Sequence, residues 1–499
     1  MKSLISALVL MPLATAVADV TLAPPFADHA VLQRDKEVPV WGTADPAEKI
    51  KVTFKGKTLE TTADAGGKWL VKLAPLAASG EPAELVVAGK NTLTIRDVVV
   101  GDVWFCSGQS NMAFPVSQGR DAAAETAAGN FPLVREFKVG SKVSDVPADV
   151  ATGQWQVASP ATVGEFTAVG YFFARDLSQE MKVPVGLMNA SRGGTYIESW
   201  LSPLSLEKDA AGAGAKKRWQ KTLEAFPKNR EAFAATLAAW KSRSAEAAAK
   251  GEPFTEREPK RPAGPGDKDT AGGLFNGMVH PLVPYAVRGF LWYQGEANTP
   301  RAREYSGLFN SLIVRWRESF GQGDLPFYWV QLPNYENSGV DNTERAELRA
   351  AQASALALPA TGQAVTIDIG EVKDNHPKNK QEVGRRLALI AKAKTYQKAV
   401  EYSGPQFVRA ERDGNAMRLH FENPGGGLEA KVQPMKDFQI AGADKKFVPA
   451  EAEISGDTVV VKSAAVPEPA FVRYAWRNAP EASLFNKAGL PAAPFRTDP

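Results

Sequence analysis

The chain has 499 residues, and 44% hydrophobic with 23% charged residues describes a globular protein rather than a disordered or coiled one. Its 59 Lys and Arg against 56 Asp and Glu leave a formal charge of +3, too weak a field to hold a phosphate backbone, so no nucleic-acid partner is expected. A single cysteine, Cys106, excludes an intramolecular disulfide and a cysteine-built zinc site.

Residues 1–18 join a basic start, the apolar run Leu4 to Leu13 and the small-residue pattern Ala16-Val17-Ala18. That is the pattern of a cleaved signal peptide, and it predicts an exported protein, secreted or periplasmic. No later segment offers about 20 continuous apolar residues, so no membrane span is expected. From 19 to 97 apolar and polar residues alternate, with Ile50, Val52 and Phe54 against Lys51, Thr53 and Lys55, and with Trp69, Val71 and Leu73 repeating the pattern. Half-exposed strands follow, and with them an N-terminal β domain.

From 98 to 400 short apolar strands alternate with helix-period segments, among them Phe166, Val169, Phe173 and Leu177 on one face. This is the texture of an α/β core with a parallel sheet covered on both sides. An insertion at about 204–273 interrupts it. Its first part, rich in Ala, Lys and Glu, reads as a helical hairpin with Trp219, Leu223, Phe226, Phe233, Leu237 and Trp240 as buried positions. Its second part, Glu252 to Gly273, has loop composition and reads as a lid or a linker. From 401 to 499 strand patterns return, as in Arg418 to Phe421 and Thr458 to Val461, predicting a C-terminal β domain.

Four core strands end in polar loops: Ser107 to Met112, Ser191 to Thr195, Gln294 to Glu296, and Gly370 to Pro377. In an open α/β sheet, ligands bind at the carboxyl edge of the strands, so these loops can share one pocket. Ser110, in a glycine-containing turn after a strand, is a candidate nucleophile that needs a base. Of the four histidines, His376 stands in a loop after a core strand and is the best base, with His280 as runner-up. Asp374, two residues earlier, is placed to orient its ring. Gly193 and Gly194 let backbone approach a ligand, and Gln294 ends its strand with a side-chain amide. Glu296 either binds substrate or braces the loops. No two-histidine zinc spacing, no phosphate loop and no dinucleotide fingerprint occurs, so neither metal nor cofactor is expected.

Val103-Trp104-Phe105-Cys106-Ser107-Gly108-Gln109-Ser110-Asn111-Met112 resembles the nucleophile block of the sialate O-acetylesterase family, a branch of the SGNH (GDSL-like) hydrolases. Gly193-Gly194-Thr195 with Ile197-Glu198-Ser199-Trp200, Trp292-Tyr293-Gln294-Gly295-Glu296 and His376-Pro377-Lys378-Asn379-Lys380 resemble its later blocks, in order. The resemblance covers nearly all of the chain outside 1–18 and the insertion. It implies a flavodoxin-like three-layer hydrolase core with accessory β domains, and removal of acetyl groups from sugar hydroxyls without a cofactor.

Ser110 would then be nucleophile and His376 base, with Gln109, Gly193 and Glu296 near the substrate. The oxyanion donors would be the amides of Ser110 and Gly194 and the side chain of Gln294. The wider superfamily places its third triad member three residues before the histidine, where this chain has Lys373. The orienting group is therefore Asp374, or Asp368, Glu371 or a backbone carbonyl. The implied partner is an O-acetylated sugar or oligosaccharide, a 9-O-acetylated sialoside or a fragment of acetylated xylan or xyloglucan; the alternative outside enzymology is a glycan-binding protein.

Overall fold

The computed structural model describes residues 19–336 and 342–499. The expected signal segment 1–18 lies outside the described residues. No helix among them is long and apolar enough to cross a membrane.

A strand of 17 residues, Thr92–Gly108, organises the molecule. Its first half pairs antiparallel with Ser79–Ala88, which passes the pairing on to Lys49–Phe54 and Lys57–Thr62. Its second half is the centre of the core sheet, flanked in parallel by Val185–Ser191 and Gly289–Tyr293. The core order is Thr361–Ala364, Phe327–Val330, Gly289–Tyr293, Thr92–Gly108, Val185–Ser191, Phe131–Val139, Gly153–Ala158, parallel except for the last pair. The chain thus adds strands on one side of Thr92–Gly108 and then on the other, which makes the end of that strand the topological switch point.

Successive side chains of a strand point to opposite faces, and the aromatic residues show it. The Trp104 ring meets Phe173 of the helix Ala168–Met181 at 5.0 Å, whereas the next residue, Phe105, meets Trp316 of the helix Ala302–Phe320 at 5.9 Å. Helices therefore cover both faces of a mixed α/β sheet. The expected inward residues Val383, Leu387 and Ile390 are buried on the helix Lys380–Lys394. Beyond residue 401, Gln406–Asp413, Ala416–Glu422, Thr458–Lys462 and Glu451–Ser455 form a four-stranded sheet, and a second one holds Phe438–Ala441 and Phe471–Tyr474. These pack around their own apolar cluster, joined by Val365 and Ile367 from the core side. The boundary expected between 97 and 98 falls inside Thr92–Gly108, so no linker separates the N-terminal sheet from the core.

The expected helical hairpin is instead one helix of 41 residues, Ala210–Lys250, which continues through Pro227 and stops at Gly251 in a left-handed turn. Trp219, Leu223, Phe226, Phe233, Leu237 and Trp240 are half-buried rather than buried. The cover of Phe226 and Trp240 is no second helix but the extended segment that follows. Phe254 packs on Trp240 at 5.5 Å, the Trp240 indole donates to the Glu256 carbonyl at 3.0 Å, and the Gly264 backbone lies on the Phe226 ring. At the base of the helix Asp209 holds Arg315 through both carboxylate oxygens.

Candidate active site

The sequence turns sharply at Gly108 because it must. With φ +134° and only 2.1 Å between a hypothetical Cβ and the Tyr293 carbonyl oxygen, the position accepts glycine alone. The Gln109 amide then donates to the Tyr293 carbonyl at 2.9 Å, and the short helix Ser110–Ala113 leaves the sheet. Ser110 is its first residue, so its amide has no intrahelical acceptor. His376 arrives from the loop beyond Thr361–Ala364 and sets Nε2 2.8 Å from Ser110 Oγ. Its ring lies nearly parallel to Phe114, the planes 19° apart. Gly193 completes the group: a Cβ there would sit 3.5 Å from Cβ of Ser110, so its backbone runs directly beside that serine. Ser110, His376, Gly193, Asp374 and Lys378 line an open cleft of about 610 Å³.

The remaining expected residues stand elsewhere or act differently. Asp374 Oδ1 is 3.9 Å from His376 Nδ1, beyond hydrogen-bond reach, and instead accepts the His376 backbone N–H at 2.9 Å. It shapes the loop and does not clamp the ring. Asp368 is held by Arg386 through both oxygens, and Glu371 accepts the Lys378 amide at 2.8 Å, so neither orients the histidine. Gln294 is fully buried, and its Nε2 donates to the Thr195 carbonyl at 3.1 Å and to Asn298 Oδ1 at 2.8 Å. With both N–H groups used, it has none left for an oxyanion. The Gly194 carbonyl accepts from Lys268 Nζ, and it is the preceding glycine, not Gly194, that lines the cleft. Gln109 is buried, its Oε1 facing the amides of Gly295 and Ala297 at 3.5 and 3.4 Å, which couples two loops rather than reaching the cleft. The other histidines pair away from Ser110: His29 with Asp97, His280 with the Ala148 carbonyl, His420 with Glu411.

Glu296 is a bracing residue, and it belongs to a buried polar network that sequence reasoning missed. Asn111, next to Ser110, donates to Glu296 Oε1 at 2.5 Å and to the Asn375 carbonyl at 2.9 Å, and accepts from Lys380 Nζ at 2.5 Å. Asn375 precedes His376, and its side chain accepts from Arg345. One asparagine thereby ties the serine turn to the histidine loop. Burial lowers the Lys380 ammonium to about 7 although Glu296, Asp374 and Glu371 pull it back up, and the ammonium lies 4.7 Å over the Phe114 ring. The signal was present in the spacing, since Asn111 follows the serine and Lys380 follows the histidine by four, but nothing in a sequence marks a lysine as buried.

A second brace is Glu136, whose carboxyl burial raises to about 7 against the donors Asn189 and Thr167. Asn189 sits on the strand leading to Gly193, and the Thr167 hydroxyl donates to the Met112 carbonyl at 2.6 Å. Cys106 is buried with its thiol pushed up by desolvation, which leaves it inert.

Comparison with known proteins places the chain among carbohydrate esterases. Residues 273–392 match the family model for carbohydrate esterases described as sialic acid-specific acetylesterase. The chain is 30% identical to the sialate O-acetylesterase of Mus musculus, over 94% of this chain and 92% of that one. It is 27% identical to the Homo sapiens sialate O-acetylesterase, over 91% and 88%. Among solved structures, a carbohydrate acetylesterase from Xanthomonas citri shares 40% identity with a TM-score of 0.82, covering 96% of this chain and 99% of its own. A likeness that runs from the N-terminal strands to the last residues, and not through one motif, makes the chain a member of the sialate O-acetylesterase family and a carboxylic ester hydrolase.

Proposed function

We propose that the protein is an exported carbohydrate O-acetylesterase of the SGNH type, with 19–97 and 401–499 as β domains on a hydrolase core of 98–400. The observation that carries this reading is the 2.8 Å contact between Ser110 Oγ and His376 Nε2 at the switch point of the sheet. His376 takes the serine proton as Oγ bonds to the acetyl carbon, forming a tetrahedral oxyanion. The amides of Ser110 and Gly193 are the donors for that oxyanion, Gly193 taking the place expected of Gly194 and Gln294. The carbon–oxygen bond to the sugar then breaks, and the sugar oxygen takes the proton from the imidazolium. Water, deprotonated by His376, cleaves the acetyl-serine and releases acetate.

An acetylated sugar is the substrate class in keeping with the relatives, and the pattern of residues 1–18 supports export. The test compares acetate release by wild type and Ser110→Ala from a 9-O-acetylated sialoside and an acetylated xylo-oligosaccharide. Loss of at least a thousandfold in kcat with an unchanged circular dichroism spectrum is expected. Undiminished release by the variant would overturn the mechanism, and the preferred substrate decides between sialate and plant cell-wall chemistry.

A further inference from the structure

The segment that brings Gly193 to the nucleophile also borders a second cavity. This one, of about 280 Å³, is lined by Tyr196, Glu198, Arg218, Trp219, Asp269 and Arg301. Its walls come from the turn after Val185–Ser191, from the base of the helix Ala210–Lys250 and from the segment that returns to the core. Only a short bridge separates it from the catalytic cleft: Lys268 Nζ donates to the Gly194 carbonyl and, at 2.9 Å, to Asp269 Oδ1. At the lower end of ligand-pocket sizes, the volume suits one sugar ring and not an oligosaccharide.

The lining has the two things a sugar ring needs, an apolar face for its C–H patches and fixed polar groups for its hydroxyls. Trp219 is half-buried, and its indole N–H makes no hydrogen bond among the described residues. Tyr196 has the Arg301 guanidinium 4.7 Å above its ring. The charges are internally matched. Glu198 accepts from Arg301 at 2.7 Å and Arg218 at 3.1 Å, Arg218 also meets Glu304 at 2.7 Å, and Asp269 meets Lys268. No cation of the wall is left unopposed to select a carboxylate, so the complementary ligand is a ring that offers hydroxyls and no charge.

We propose that this cavity is a subsite for a neutral sugar unit, holding the residue adjacent to the one whose acetyl ester reaches Ser110. This rests on the carbohydrate-esterase reading of the cleft. The test measures kcat/KM on an acetylated xylo-oligosaccharide and on p-nitrophenyl acetate for wild type, Trp219→Ala and Trp219→Phe. The ratio of the two values should fall at least tenfold in Trp219→Ala and stay within threefold in Trp219→Phe, which keeps an aromatic face. A parallel titration of unacetylated xylo-oligosaccharide into Ser110→Ala should show Kd weakened at least tenfold when Trp219→Ala is added. An unchanged ratio with unchanged Kd, or equal losses on both esters, would overturn the subsite while leaving the esterase intact. Wild type that hydrolyses p-nitrophenyl acetate but no acetylated sugar would instead overturn the carbohydrate reading, and the subsite with it.

Discussion

Asp374 shows how one ångström changes a residue's role. A carboxylate hydrogen-bonded to the base fixes its tautomer, and in such triads an asparagine in its place costs about 10⁴ in rate. Here the oxygen stands 3.9 Å from Nδ1, and the two side chains are 40% and 49% exposed, so water screens most of the attraction. A pair of that kind is worth about 1 kcal/mol or less, roughly a fivefold effect on rate. Asp374→Asn keeps an oxygen for the His376 backbone N–H while removing the charge. It should therefore lower kcat by no more than about tenfold, and a loss beyond a thousandfold would show that the carboxylate closes on the ring during turnover. The serine and histidine were legible in the sequence because chemistry restricts them to a few residue types and only four histidines exist. The backbone groups that border the cleft were not, because backbone N–H groups carry no sequence signal, and Gln294 looks the same whether it faces the cleft or, as here, Tyr305 and Asn298.

Between elements, polar braces set the geometry that the apolar pattern leaves free. Glu136 receives the amide of Thr167, which caps a helix, and the side chain of Asn189 on the neighbouring strand, both at 2.9 Å. Its folded-state value of about 7 lies above its ordinary 4.5, so the folded chain keeps a proton that the unfolded chain has lost. The stability this contributes is fully present below pH 4.5 and is lost as pH rises through 7, a change on the order of 3 kcal/mol. Urea unfolding of wild type should accordingly weaken between pH 5 and 8, and Glu136→Gln should flatten that slope. Equal slopes would mean that the carboxyl is ionised throughout.

The long periodic stretches were readable element by element, including the inward faces of Ala168–Met181 and Lys380–Lys394. The insertion was not. The stripe from Phe226 to Trp240 announces that something covers it, but an extended chain with a phenylalanine and a glycine covers it as a second helix would, and periodicity cannot tell the two apart.

At the scale of the molecule, the N-terminal sheet and the core share a strand and a buried ionic knot. Asp102, whose side chain is 1% exposed, accepts from Arg34 at 2.9 Å, Arg288 at 2.8 Å and the Tyr396 hydroxyl at 2.9 Å, and these guanidinium groups hold its carboxyl below the usual carboxylate range despite burial. Removing one member of such a cluster strands the others, at a cost of about 3–5 kcal/mol. Asp102→Ala should lower the midpoint of thermal unfolding while leaving one transition. Separate melting of two units would refute the coupling. The sequence announced three regions of different texture but not that the first two are one piece, since the sign of a boundary, a change from alternating to continuous apolar residues, also marks a strand passing from an exposed sheet into a covered one. Thr92–Gly108 passes in that way and ends two residues before Ser110. A cut between the N-terminal segment and the core accordingly falls inside a strand that is paired on both sides of the cut. Any segment exchanged for the present N-terminal one would have to supply the first half of that strand in register with the second.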